Sequence, residues 1–179
     1  MFIYEIDEDL YLRLIEKNDE ENIFSLINNS RDYLRQWLSW VDNTRKLEDT
    51  KEFIKICLKG ITENKNMTSV ILFQGQIVGL VGYEINWSNK TACIGYWLGE
   101  EFQKNRIMNR VVKALTNYVF TNLNLNKVEI RVAEGNKRSR NIPEKLGYVN
   151  EGCIRQVEWL YDRYVNHVVY GILAEEWNN

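Results

Sequence analysis

One proline, one histidine and three cysteines in 179 residues leave this chain short of the residues that break, metallate or staple a fold. With Pro143 alone there is no proline-rich linker, and no stretch rich in glycine or serine takes its place. Cys57, Cys93 and Cys153 are odd in number and widely spaced, which fits neither a disulfide framework nor a set of metal ligands. They are expected to be buried thiols acting as small hydrophobes, Cys93 lying within an apolar strand. His167 has no carboxylate and cysteine companions at metal spacing, so it reads as a sheet histidine and no metal site is expected. An excess of one charge is also lacking: 23 basic against 25 acidic side chains give a net charge of -2. No broad field favours nucleic acid or a membrane surface, and the short basic run Lys137-Arg-Ser-Arg140 does not change that balance. Any anionic ligand must be held locally. No apolar run approaches the roughly 18 residues of a membrane span, and Met1-Phe-Ile-Tyr-Glu-Ile-Asp7 lacks a basic region followed by an apolar one. A cytoplasmic protein is expected.

What is present is ordinary globular material, with 45% hydrophobic and 27% charged residues. Residues 1–179 suit one domain with one core. Leu10–Ile15 alternates as a strand, and a polar stretch then opens a helix near Asp19. A short helix is expected over Tyr33–Trp40 and a longer one over Leu47–Thr62. Strands follow at Thr68–Phe73, Gln76–Ile85 and Thr91–Leu98, the first two joined by a tight turn at Gln74-Gly75. Apolar residues from Ile107 to Val119 recur at helical spacing, which predicts a helix over Lys104–Thr121. A strand at Val128–Val132, a helix at Ser139–Leu146 and a strand pair near Tyr148–Trp159 and Tyr164–Leu173 complete the chain. The class is α+β, a mixed and mostly antiparallel sheet of about seven strands flanked by helices.

The segment Asn136-Lys-Arg-Ser-Arg-Asn-Ile-Pro-Glu-Lys-Leu-Gly147 carries the most information. It follows the alternating run Lys127–Val132 and so leads from a strand into a helix whose first turn offers unpaired backbone N–H groups, a ready place for a polar ligand. The plain alternative is an ordinary helix start, with Asn136 or Ser139 as N-cap, Gly147 as the stop, and Pro143 tolerated only near the helix start.

Read with its surroundings, the segment resembles the second ligand-binding segment of the GNAT acetyltransferases. Ala92-Cys-Ile-Gly-Tyr-Trp-Leu-Gly99 followed by Phe102-Gln103 is similar to that superfamily's strand and acyl-CoA loop. Glu151-Gly-Cys-Ile-Arg155 and His167-Val-Val-Tyr-Gly-Ile-Leu173 resemble its last two strands. Leu34-Arg-Gln-Trp-Leu-Ser-Trp-Val-Asp42 and Glu48-Asp-Thr50 look like the ribosomal-protein-serine branch, which acetylates protein N-termini. The likeness runs in order along nearly the whole chain. It implies a GNAT-like sheet splayed between its fourth and fifth strands, acetyl-CoA as co-substrate, and an acceptor amine, here the N-terminal α-amine of a ribosomal protein or other polypeptide. A small-molecule amine such as a polyamine or antibiotic is the alternative acceptor. The family's habits also suggest a homodimer.

The resemblance assigns roles residue by residue. Gln103, Lys104, Asn105, Arg106, Ile107 and Met108 would hold the pyrophosphate, mainly through backbone N–H groups at a helix start. The family's usual Gln-x-x-Gly-x-Gly/Ala, often with another glycine after the glutamine, reads Gln103-Lys-Asn-Arg-Ile-Met108 here. Glycine there allows close approach and positive φ at no steric cost. Lys104 and Arg106 either add charge-assisted phosphate contacts or obstruct the cofactor. In the second case the chain would be a non-catalytic binding protein on the same fold. Backbone N–H groups of Trp97 and Leu98 would bond the acetyl carbonyl, Asn136 the pantetheine amide, and Ser139 would return a proton to the departing thiolate. Glu158 would be the general base, its plain alternative being an exposed strand carboxylate. Trp37 and Trp40, three apart and so on one helix face, would flank the acceptor; otherwise they are core or interface aromatics.

Overall fold

The computed structural model describes residues 3–103 and 105–177. Among the described residues eight strands appear in the hydrogen-bonded order β1-β2-β3-β4-β5-β6-β8-β7, against the about seven expected. The additional strand is β1, Ile3–Asp7, too short and too weakly alternating to register by pattern, which pairs antiparallel with β2, Leu10–Leu14. Contacts divide the chain into two compact units, Met1–Tyr83 with Tyr96–Val111, and Glu84–Gly95 with Val112–Asn179.

In the first unit β2 pairs antiparallel with β3, Asn66–Phe73. The turn into β4, Gln76–Asn86, places both Gln74 and Gly75 at positive φ (50° and 79°), the geometry that joins two right-twisted strands in two residues. Before the sheet come α1 (Glu20–Asn29), α2 (Arg31–Arg35) and α3 (Leu47–Thr62). The expected α3 bounds match; its start is fixed by Asp49, whose carboxylate accepts the N–H groups of Arg45 and Lys46 at 2.9 and 3.0 Å. The expected helix over Tyr33–Trp40 instead ends at Arg35, so Trp37 and Trp40 lie in turns rather than on one helix face. Ile15, Ile23, Ile27, Ile54, Cys57, Val70 and Leu80 form the core of this unit, with Trp40 and Trp97 packed against it. Each such aliphatic side chain, removed from water, contributes about 1.5–3 kcal/mol.

In the second unit β5 (Thr91–Leu98) pairs in parallel with β6 (Lys127–Ala133) from Thr91↔Lys127 to Ile94↔Ile130. β6 pairs antiparallel with β8 (Arg163–Leu173), and β8 with β7 (Val149–Leu160). The helix α4, Ile107–Thr121, starts three residues later than expected because Arg106 takes φ 53°, outside the helical region. Next come α5, Lys137–Lys145, and a final turn α6, Ala174–Trp177. The cysteines divide against expectation: Cys57 is buried and Cys93 half-buried, while Cys153 is exposed on β7, the edge strand of the sheet, where nearly every residue is exposed. No helix of the described residues is long and apolar enough to cross a membrane.

Candidate functional site

At the end of β5 the backbone N–H of Gly99 donates to the Val78 carbonyl of β4 at 2.8 Å. Strand alternation therefore turns the Trp97 backbone groups toward β4 and those of Leu98 away from it. The Gln103 side-chain amide donates to the carbonyls of Leu98 and Gly99 at 2.9 and 3.3 Å, so the glutamine of the loop is a clamp on its own strand end. Ser30 Oγ accepts the Glu100 N–H at 3.0 Å and ties the following turn, Glu100–Phe102, to the start of α2. The loop is thus fixed from both sides before α4 begins.

Arg106 occupies the N-cap position, its carbonyl accepting the Arg110 N–H at 3.4 Å. A guanidinium has only donors, so this residue offers the helix no side-chain cap. Helix geometry leaves the N–H groups of Ile107, Met108 and Asn109 without an intrahelical acceptor, at the positive end of a 15-residue helix. The Ile107 and Met108 side chains are buried, so these two residues can act on a ligand only through their backbones. Asn105 and Arg106 are exposed; Lys104 lies outside the described residues. This donor set, N–H groups without an intrahelical acceptor beside an exposed guanidinium, fits a pyrophosphate.

Arg110, in the first turn of α4, forms ion pairs with Asp7 and Asp9 at the β1–β2 turn, its Nε donating to Asp7 at 2.7 Å. The Arg110 guanidinium holds the Asp7 carboxyl below its usual range. No sequence signal marks this pairing, which joins residues about a hundred positions apart. Trp40 and Trp97 meet with ring centroids 5.9 Å apart, and both Trp37 and Trp40 are half-buried.

In the second unit Asn136 is the N-cap of α5, its Oδ1 accepting the Ser139 N–H at 3.1 Å. Of the two N-cap candidates it is Asn136 that serves. The helix stops at Gly147, φ 84°, where the Gly147 and Tyr148 N–H groups donate to the Glu144 and Pro143 carbonyls, the paired bonds of a glycine-terminated helix. Pro143 is not near the helix start but seventh of nine residues; its missing N–H withholds only one bond, from a helix already ending. Arg140 Nε donates to the Tyr170 hydroxyl of β8 at 2.8 Å, and that hydroxyl donates to Glu144 at 2.5 Å, locking α5 in place. Burial and the neighbouring Glu144 push the Tyr170 phenol up.

Glu158 is not an isolated exposed carboxylate. Its Oε2 lies 2.9 Å from His167 Nε2, with both side chains mostly buried. His167 is a sheet histidine as expected, on β8, but its carboxylate companion was missed. Counting back from the turn would have found it, since Leu160↔Arg163 sets Glu158↔Val165 and places His167 diagonally across. Among the described residues no group of three or more histidine, cysteine, aspartate or glutamate side chains could hold a metal ion.

The acetyltransferase (GNAT) domain family matches residues 9–149. The putative ribosomal N-acetyltransferase YdaF of Bacillus subtilis (strain 168) is 29% identical over 179 residues, covering 99% of this chain and 98% of that protein. The ribosomal-protein-serine acetyltransferase of Escherichia coli (strain K12) is 27% identical over 171 residues, covering 95% and 96%. Among solved structures, RimL, the ribosomal L7/L12 alpha-N-protein acetyltransferase in complex with coenzyme A, superposes with a TM-score of 0.93 at 24% identity over 96% of this chain and 98% of that one, a likeness of fold. With the family match spanning most of the sheet and both helix starts, this chain belongs to the GNAT acetyltransferases, N-acetyltransferases that draw the acetyl group from acetyl-CoA.

Proposed function

We propose that the protein acetylates the N-terminal α-amine of a ribosomal protein or a polypeptide of similar kind. The observation that carries this reading is the end-to-end likeness to two ribosomal-protein acetyltransferases, which covers nearly all of this chain and of each relative. The site chemistry supports it. Backbone N–H groups of Ile107 and Met108, with Gln103 bracing the loop and Asn105 and Arg106 exposed beside it, hold the pyrophosphate. Lys104 takes part on the resemblance alone. The Leu98 N–H, turned away from β4, steadies the charge that develops on the acetyl oxygen, with Trp97 keeping that strand end in place. Asn136 orients the pantetheine arm and Ser139 supplies the proton that the departing thiolate takes up. Glu158 accepts the proton lost by the attacking amine, a role that commonly contributes about 10²–10⁴-fold. Trp37 and Trp40 flank the acceptor.

The enzyme works as a single acetyltransferase domain over residues 1–179, in the cytoplasm where such acceptors are made. It engages no nucleic acid directly, as its net charge of -2 suggests. Exposed Val157, Trp159 and Tyr164 on the β7–β8 hairpin favour a homodimer.

The test is to incubate the protein with labelled acetyl-CoA, ribosomal proteins and a panel of polyamines and amine antibiotics. Label is expected on a protein N-terminus; label on small amines only would transfer the function to that class. Calorimetric titration with acetyl-CoA is expected to give micromolar affinity, about -8 kcal/mol. No heat at millimolar ligand would mean a binding protein with a disabled loop.

A further inference from the structure

The Glu158–His167 contact lies beside a bulge. From Leu160↔Arg163 to Glu158↔Val165 the strands β7 and β8 pair residue for residue, but the next pair is Ile154↔His167. Three residues of β7, Arg155 to Val157, thus stand opposite Asn166 alone. In an unbroken ladder Gln156 would face His167 on the side that Glu158 also uses. Instead Gln156 takes φ 50° and its N–H donates to Asn166 Oδ1 at 2.9 Å. Asn166 Nδ2 donates to Glu134 Oε2 at 2.8 Å, and the Glu134 N–H donates to the Asn166 carbonyl at 2.9 Å. These three bonds secure the bulge to the turn after β6, and none of them involves the imidazole. The bulge is thus held without the imidazole, whose Nε2 is directed at the carboxylate.

Resting on the reading of Glu158 as the base, we infer that His167 is a positioning residue for it: Nε2–H donates to Glu158 Oε2 and fixes the carboxylate in the orientation that meets the incoming amine. A glutamate has three side-chain torsions to fix, and the bulge, by removing Gln156 from the ladder, gives the imidazole an unobstructed diagonal to it. The arrangement requires the proton on Nε2, so in the neutral ring Nδ1 is the acceptor.

Because the chain has a single histidine, its ring nitrogens give one unambiguous set of signals in the ¹⁵N-labelled protein. The expected result is a ring protonated at Nε2 whose Nε2 resonance moves in Glu158→Gln. A ring without a proton on Nε2, or signals indifferent to that substitution, would overturn the inference without any appeal to activity. In turnover of acetyl-CoA with a short synthetic peptide bearing a free N-terminal serine, His167→Leu is expected to lower kcat about 10–100-fold. The KM for acetyl-CoA should stay unchanged. His167→Gln, whose amide can donate in place of the ring, should recover most of the rate, and Glu158→Gln/His167→Leu should be no slower than Glu158→Gln. Full activity in His167→Leu beside a crippled Glu158→Gln would sink the positioning role alone. Full activity in Glu158→Gln would remove the base reading and this inference with it.

Discussion

Two helices of this protein, α4 and α5, treat their first turns in opposite ways. α5 closes its own start: Asn136 Oδ1 takes the Ser139 N–H, and Arg140 anchors the helix to Tyr170. α4 is preceded by Arg106, whose side chain has no acceptor to give, so its first N–H groups receive no cap from that residue although the loop before them is braced by Gln103 and Ser30. A helix start left open is thus distinguished less by its N–H groups, which every helix has, than by a rigid approach combined with a cap residue whose side chain cannot use them. Asn136 is consequently a structural cap, with its side-chain amide N–H groups not used in that bond.

That contrast can be broken at its strongest point with Gly79→Ala. A methyl group there would collide with the Trp97 carbonyl and come within 3.0 Å of the Leu98 Cα, backbone that cannot yield cheaply. Thermal unfolding should register a loss of about 1–3 kcal/mol. Titration calorimetry should show weaker acetyl-CoA binding as the end of β5 moves. Asn136→Ala tests the closed start: about 1 kcal/mol of stability should go with the cap, while Asn136→Ser, which can still accept, should recover most of it in denaturant titrations. At the open start the effects should oppose each other. Arg106→Gly relieves a left-handed arginine and should stabilise the fold by about 1 kcal/mol. It also removes a cation, so acetyl-CoA should bind up to about tenfold more weakly. Tighter binding would mean that the side chain obstructs.

The smallest effect is electrostatic. Asp7 titrates below its ordinary value of 3.8 because Arg110 bonds its charged form. Near that value the unfolded chain binds more protons than the folded one, so stability rises with pH there. The contribution is complete above the unfolded value and is lost as pH falls through the lower, folded one. Asp7→Asn should flatten the acid limb of a stability–pH profile measured by urea denaturation, and the difference should shrink in high salt because both partners are about a third exposed.

Periodicity located α3 and β5 to the residue because each is long and bounded by clear stops. It overran α2, where Trp37 and Trp40 continue a helical spacing but pack from turns, and it began α4 early, because the pattern does not register that Arg106 is left-handed. It missed β1, whose five residues become a strand only through pairing with β2. The candidate site was legible only as motifs: Gln103, Asn136, Ser139 and Glu158 all come from recognisable segments. Their partners were less so. Arg110 with Asp7 and Asp9 depends on contacts across a hundred residues, and Asn166 acts only through a bulge that the alternation of β7 conceals.

By itself the sequence determined the family and, β1 apart, the order of strands and helices along the chain, since these depend on local spacing and on motifs that survive without a partner. Tertiary structure alone decided what those residues do for one another: that Gln103 braces its own strand, that Asn136 caps its own helix, and that Glu158 lies against His167. Hydrogen bonds of that kind depend on strand register and backbone dihedrals, which arise only when distant segments pair.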